Sequence, residues 1–237
     1  MKPELTLGSL FDGNGGFPLA ALTCGIKPIW SSEVEPFPIR VTQKNLPEIR
    51  RLGDIKDIDG SEIEPVDIIS FGSPCQDMSI AGKKAGLEGN RSNLFYEAIR
   101  IIKEMRGKTN GKYPRYLLWE NVPGAFSSNG GEDFRCVLEE FTKIKSSEIK
   151  LPRPKKWEKS GTIMGDNLSI SWRVLDAKYF GVPQRRRRIF IVTDLNGRSS
   201  TKILFEQKAC QGILQRAAKK EREIPEPLKT ALKKQSI

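Results

Sequence analysis

The chain contains no histidine, so proton transfer near neutral pH falls to carboxylates, lysines, tyrosines or thiols. Imidazole-based triads and histidine-containing zinc sites are excluded. The four cysteines, Cys24, Cys75, Cys136 and Cys210, are far apart and never form a C-x-x-C pair. They read as reduced thiols rather than a disulfide framework or a metal site, and no metal is expected. Cys75 differs from the others in its surroundings. It follows the apolar run 66–71 in Gly72-Ser73-Pro74-Cys75-Gln76, which puts a thiol just past a strand on a proline-fixed loop. There a thiolate stabilised by nearby cations or helix dipoles can act as a nucleophile. Taken singly, a free cysteine is more often a buried, inert hydrophobe. Glu120 tips the balance, because it directly follows a second apolar run, 116–119, and would stand at the same sheet edge. A thiol nucleophile and a carboxylic acid form a working pair where histidine is absent.

These residues need elements to position them. Apolar runs at 5–10, 28–31, 66–71 and 116–119 alternate with helical-looking segments at 18–24, 36–45 and 93–105. The last carries Leu94, Phe95, Ala98, Ile99, Ile101 and Ile102 at largely helical spacing. Such alternation predicts an α/β fold with a doubly wound, mostly parallel sheet covered on both faces and ligands beyond the carboxyl ends of its strands. Residues 143–165, rich in Lys, Pro and Ser, read as a basic surface loop or insertion. Residues 172–175 and 189–192 read as two more strands flanking Gly181-Val182-Pro183-Gln184 and the arginine run 185–188. One domain is expected over 1–197, followed by a basic polar tail, 198–237, with no domain of its own. No apolar run could span a bilayer and no secretory segment opens the chain, so a soluble cytoplasmic protein is expected.

Charge separates the two parts of the chain. Residues 1–142 hold 17 Lys and Arg against 20 Asp and Glu, net −3, whereas residues 143–237 hold 23 against 9, net +14. A polyanion met mainly by the second part, nucleic acid first, and a merely solvated basic face explain this equally well. At the end of the first run, Phe11-Asp12-Gly13-Asn14-Gly15-Gly16 makes a G-x-G-G turn of the kind that lets backbone approach a nucleotide at a helix N-terminus. Glu33, at the end of the second run, is placed to accept hydrogen bonds from ribose hydroxyls or simply to start a helix. Asp54 is one of several acids in its loop.

In their order these segments resemble the DNA cytosine-5 methyltransferases. Residues 11–17 are similar to the family's cofactor-binding motif, and Pro74-Cys75-Gln76 with Ser79-Ile80-Ala81-Gly82 to its nucleophile motif. Glu120-Asn121-Val122 is similar to the glutamate motif, and Gln184 to Arg188 to Gln-x-Arg-x-Arg, the whole covering about residues 6–192. The resemblance implies a Rossmann-like class I fold that uses S-adenosylmethionine. It implies that Gly13 and Gly15 lie along the methionine part with Phe11 in the same pocket, Glu33 at the ribose, and Asp54 with Ile55 at the adenine. It implies that the Cys75 thiolate adds to carbon 6 of a cytosine flipped out of double-stranded DNA while Glu120 shares a proton with ring nitrogen 3. Arg186 and Arg188 would hold the carbonyl edge of the base; for them, contact with phosphates alone is the competing reading. Pro74, Gln76, Asn121, Val122 and Gln184 would complete the base site, and 79–93 would close on DNA.

The family continues beyond the arginine motif with a target-recognition region and a final Gly-Asn motif. Here 45 residues follow Val192 and no such segment is found among them. A second subunit carrying the missing region is one explanation, and a truncated phage or mobile-element gene the other. The expected setting is a restriction-modification or orphan phage system, at the nucleoid of a bacterial or phage-infected cell. An RNA cytosine-5 methyltransferase of the same fold and a DNA-binding remnant without turnover are the alternatives. A dinucleotide-dependent oxidoreductase would explain the glycine turn, but neither Pro74-Cys75-Gln76 nor Glu120-Asn121-Val122.

Overall fold

A computed structural model describes residues 4–73, 94–145, 150–165 and 167–196. Pro74, Cys75, Gln76, the segment 79–93 and the tail 198–237 lie outside the described residues. Among those described, eight strands form one mixed sheet: β1 (Thr6–Leu10), β2 (Lys27–Ser32), β3 (Arg50–Arg51), β4 (Ile68–Phe71), β5 (Tyr116–Asn121), β6 (Ser160–Gly165), β7 (Leu168–Asp176) and β8 (Arg187–Asp194). Their order is β3-β2-β1-β4-β5-β8-β7-β6. The first five run parallel; β8 then pairs antiparallel with β5, β7 with β8, and β6 with β7. The expected α/β doubly wound class is present, with its switch point between β1 and β4, where the winding reverses. The expectation of a mostly parallel sheet holds for one end only, since three of the seven strand pairings are antiparallel.

Helices α1 (Gly16–Thr23), α2 (Pro36–Asn45), α3 (Leu94–Lys108) and α4 (Glu132–Lys143) connect the strands. The main core lies beneath α3 and α4. α3 buries Phe95, Ala98, Ile99, Ile102 and Met105, and α4 buries Phe134, Val137, Leu138 and Phe141, both stripes at helical spacing. Period-two alternation in β5 turns Leu117 and Trp119 into this core, while Tyr116 and Leu118 join Leu7, Ala21 and Ile68 in a smaller cluster on the α1 face. Glu120 therefore leaves the strand on the face opposite Trp119.

Part of 143–165, expected as a surface loop, is built into the fold. Residues 160–165 are the edge strand β6, paired with β7 from Ser160 opposite Arg173 to Gly165 opposite Leu168. Trp157 is buried, its ring edge-on to Phe134 and Trp172 at centroid distances of 5.0 and 5.9 Å, and its Nε1 donates to the Gly131 carbonyl at 2.9 Å. The sequence Ser-Gly-Thr-Ile-Met-Gly is too poor in apolar residues to announce a strand, so the β7 ladder supplies what local propensity lacks. No helix among the described residues is long and apolar enough to cross a membrane.

Candidate active site

At the switch point β1 ends in a tight turn. Phe11, Gly13 and Gly15 all have positive φ, at 54°, 55° and 81°, and the Gly15 N–H donates to the Asp12 carbonyl at 3.1 Å. A side chain at Gly15 would meet Leu46 at 2.9 Å and Thr42 at 3.0 Å, so the turn seats on α2 only without one. At Gly13 a Cβ would meet nothing within 4 Å; the space above the turn is open. Phe11, a non-glycine residue at positive φ, is half-buried against the main core.

Glu33 follows β2 directly and ties the two strand ends together. Its Oε2 accepts the Gly13 N–H at 2.7 Å, and its Oε1 accepts the Val34 and Glu35 N–H groups at 2.8 and 3.0 Å. Oε2 keeps a further lone pair toward the open side. Asp54 caps a short 3-10 turn by accepting the Lys56 N–H at 3.0 Å, and the Ile55 side chain is buried in the core, which leaves only its backbone for a ligand. Val34 and Phe37, beside Glu33, expose apolar side chains that the sequence reading does not single out. An open glycine turn, an acid at the neighbouring strand end and apolar surface next to it fit a nucleoside-bearing cofactor such as S-adenosylmethionine. Under the turn lies Asp12, only 6% exposed, whose Oδ1 accepts the Ser9 hydroxyl at 2.7 Å. Its Oδ2 is buried with no hydrogen-bond partner among the described residues. Burial pushes its pKa up to about 6, and the charge of Glu33 adds to the effect.

The second group assembles across β4, β5 and β8. Glu120 pairs in register with Phe190, and Arg188 with Leu175, so Glu120, Phe190, Arg188 and Leu175 share one face. The Arg188 Nε lies 2.8 Å from Glu120 Oε1. Together with Phe180 and Arg186 these side chains line a cavity of about 350 Å³. Strand alternation explains the x-spaced arginines: Arg186 and Arg188 line the cavity, and the intervening Arg187 does not. Asp176, absent from the sequence reading, fixes this arm. Its Oδ1 accepts the backbone N–H of Lys178 at 3.3 Å and that of Arg186 at 3.2 Å.

Gly72 and Ser73 bring the chain past the same carboxylate. A Cβ on Gly72 would stand 3.1 Å from Glu120 Oε2, and no bulkier residue fits there without moving the acid. The Ser73 hydroxyl accepts from Trp119 Nε1 at 3.3 Å, and its carbonyl from Asn121 Nδ2 at 3.2 Å. Asn121 is thus turned inward, binding the end of β4 to β5, with its Oδ1 accepting the Val122 N–H at 2.7 Å. Gln184 is exposed, its backbone N–H bonded to the Val182 carbonyl, and is not part of the cavity wall. The structure brings Glu120, Arg186 and Arg188 together in one place and Phe11, Gly13, Gly15 and Glu33 in another. Leu175, Phe180 and Phe190 escaped the sequence reading, although the alternation of Phe190 with the arginines was there to be read.

Comparison with known proteins follows the same outline. In Escherichia phage P1, a protein named DNA N-6-adenine-methyltransferase is 34% identical over 92% of this chain and 32% of its own length. The type II methyltransferase M.NgoBI of Neisseria gonorrhoeae is 33% identical over 77% of this chain and 48% of its own length. The chain thus spans between about a third and a half of the relatives it matches. Among solved structures, the S. pombe Dnmt2 methyltransferase superposes with a TM-score of 0.59 at 18% identity, covering 83% of this chain and 52% of that one. The fold is that of the class I S-adenosylmethionine-dependent methyltransferases. The pattern of the C-5 cytosine-specific DNA methylases matches residues 5–236, and the chain belongs to that family.

Proposed function

We propose that this chain is the catalytic part of a DNA (cytosine-5)-methyltransferase acting through a covalent Cys75 adduct, within a restriction-modification or orphan phage system. The observation that carries the reading is the Glu120–Arg188 ion pair at 2.8 Å in the wall of a cavity of about 350 Å³, with Gly72 of the nucleophile segment against Glu120 and Ser73 bonded to Asn121. Bound S-adenosylmethionine supplies an electrophilic methyl group. Gly13, Gly15, Glu33 and the backbone at Asp54 and Ile55 hold it at the switch point.

Carbon 5 of cytosine is a weak nucleophile, and the base must leave the stack to be reached. In the proposed mechanism the Cys75 sulfur forms a bond to carbon 6 and the ring electrons move toward carbon 5. Glu120, holding a proton at ring nitrogen 3, stabilises the charge pushed into the ring. Arg188 keeps the Glu120 carboxylate in place, and Arg186 is aimed at the carbonyl edge of the base. After methylation carbon 5 gives its proton to water, the released electron pair re-forms the ring double bond, and Cys75 leaves carbon 6 as the thiolate, so that aromaticity returns. Pro74, Gln76 and Val122 border the base, and Asn121 and Gln184 support the border. Double-stranded DNA is the substrate, and a second subunit bearing a target-recognition region is the proposed partner.

The test is trapping on duplex DNA containing 5-fluorocytosine, since fluorine cannot leave carbon 5 as a proton does. An adduct mapped to Cys75 by peptide mass spectrometry, and lost in Cys75→Ser with cofactor binding retained, is the expected result. An adduct at Cys24, Cys136 or Cys210 would overturn the assignment. The name of the phage P1 relative gives a second reading, methylation of an adenine amino group, which needs no covalent nucleophile. Nucleoside analysis of the product decides between 5-methylcytosine and N6-methyladenine.

A further inference from the structure

Residues 150–159 carry five cations, Lys150, Arg153, Lys155, Lys156 and Lys159, against one acid, Glu158. All five are exposed. Arg153 alone among them meets a carboxylate of a described residue, Glu132 Oε1 at 3.2 Å. The cations of α3 and α4 differ. Arg100 sits between Glu97 and Glu104, Lys143 on Glu140, and Arg135 between Glu132 and Glu139.

The segment is also held in place at several points. The Leu151 N–H donates to Glu139 Oε1 at 3.0 Å, Trp157 is buried against Phe134 and Trp172, and the Trp172 Nε1 donates to the Glu158 carbonyl at 3.0 Å. The Val174 N–H donates to the Lys159 carbonyl at 2.8 Å. Strand register then gives its position. Lys159 lies beside Val174, Val174 pairs with Ile189, and Ile189 pairs with Asn121, the neighbour of Glu120. Three strand spacings put Lys159 roughly 14 Å from Asn121, about four base-pair steps of a duplex. Exposed Arg185 and Arg187 flank the intervening strand end.

We propose that residues 150–159 form a preorganised phosphate-binding strip that holds the duplex backbone a few base pairs from the reacting base. The proposal rests on DNA being the substrate and adds the surface that grips it outside any target-recognition region. Apart from Arg153, these cations have no carboxylate partner among the described residues to give up, and their backbone is already fixed, so the cost set against counterion release is the ordering of the side chains themselves. Such contacts orient the duplex without reading its sequence.

The full chain is titrated against several duplexes by fluorescence anisotropy across a salt series. The triple variant Lys155→Gln, Lys156→Gln, Lys159→Gln is compared with a control that removes the same charge at the opposite, amino edge of the sheet: Lys27→Gln, Lys108→Gln, Lys112→Gln. The strip variant should lose about 2–3 from the slope of log affinity against log salt and bind roughly ten- to a hundredfold more weakly at about 0.1 M salt, whatever the sequence. The control should keep the wild-type slope. Equal slopes for the two variants would overturn the strip while leaving DNA as the substrate, and that outcome would point to an acidic protein partner for these lysines. Failure of the wild-type chain to bind any duplex at low salt would overturn both. Since all six lysines are exposed, unchanged melting curves separate binding loss from misfolding.

Discussion

The two ends of the sheet are built to meet different chemistry. At the parallel end the proposed cofactor surface is chiefly backbone: a glycine turn with open space above Gly13, joined by an acid bonded to that turn and two exposed apolar side chains. At the antiparallel end it is side chain: Arg186 and Arg188 in a cavity wall with Glu120, and the lysines of 150–159 beyond them. Backbone donors on a tight turn suit a small ligand of fixed shape, because their positions are set by φ and ψ. Long cationic side chains suit a large polyanion, whose phosphates repeat along an axis and tolerate some freedom in each contact. Only the antiparallel end departs from a parallel βαβ pattern, and the lysines of 150–159, without a carboxylate partner among the described residues, belong to it.

The largest effect expected is on the anchoring of that end. Trp157→Ala removes a buried ring from Phe134 and Trp172 and its bond to the Gly131 carbonyl, and should cost about 3–5 kcal/mol in urea unfolding followed by far-ultraviolet circular dichroism. Trp157→Phe keeps an aromatic ring and should lose about 1 kcal/mol for the hydrogen bond. A cost below 1 kcal/mol for the alanine variant would mean that 150–159 is a loop tied only at its ends, and the contrast between a fixed strip and a free basic face would disappear.

The parallel end was legible in the sequence because its signals are local. Four of its five strands are short apolar runs with a special residue at the carboxyl end, as at Leu10 before the glycine turn, Phe71 before Gly72 and Trp119 before Glu120; the two-residue edge strand Arg50–Arg51 is not, and only its pairing with β2 reveals it. The same locality gave Gly13, Gly15, Glu33 and Glu120 as candidates, and the resemblance to the cytosine-5 methyltransferases added Arg186 and Arg188. What stayed hidden depends on partners distant in sequence. β6 is a strand by virtue of β7, Trp157 is buried by virtue of α4 and β7, and Asp176 matters because of Arg186 ten residues on. Asp12 sits inside a motif that was read for its glycines, and its burial follows from the way the turn folds back over Ser9.

Asp12 provides the next prediction, at the parallel end. Its carboxyl is pushed up to about 6 from 3.8, first by burial and then by Glu33, against the pull of the Ser9 and Ser31 hydroxyls and Arg51. A raised folded-state pKa means that the folded chain holds its proton more tightly than the unfolded one. Below pH 3.8 both states are protonated and there is no penalty; between pH 3.8 and about 6 the unfolded state ionises first and stability falls; above about 6 the penalty is complete. It amounts to about 3 kcal/mol. Asp12→Asn cannot ionise, so the stability difference between variant and wild type should grow in favour of the variant by about that amount from pH 4 to pH 6.5. A difference that stays level across this range would show that the carboxylate is solvated, and that the turn is less closed than its geometry indicates.

The smallest effect expected lies at the seam where β7 passes to β8. Asp176 Oδ1 accepts two backbone N–H groups, from Lys178 and Arg186, at 3.3 and 3.2 Å, so it both caps the short turn Ala177–Phe180 and fixes where the arginine arm begins. Both bonds are long, and a cap of this kind is worth about 1 kcal/mol. Asp176→Ala should therefore lower stability by about that much. Because Arg186 is released from one side only, with its carbonyl still accepting the Ala177 N–H at 3.0 Å, β8 should stay in register. The more telling readout is functional. Asp176→Asn keeps a carbonyl oxygen in the Oδ1 position and should restore both stability and adduct formation on 5-fluorocytosine DNA, whereas the alanine variant should form the adduct more slowly with its affinity for duplex unchanged. If alanine instead weakened duplex binding as much as the triple lysine variant does, Asp176 would be organising the phosphate-binding surface rather than the cavity wall, and the division between base site and backbone grip would have to be redrawn.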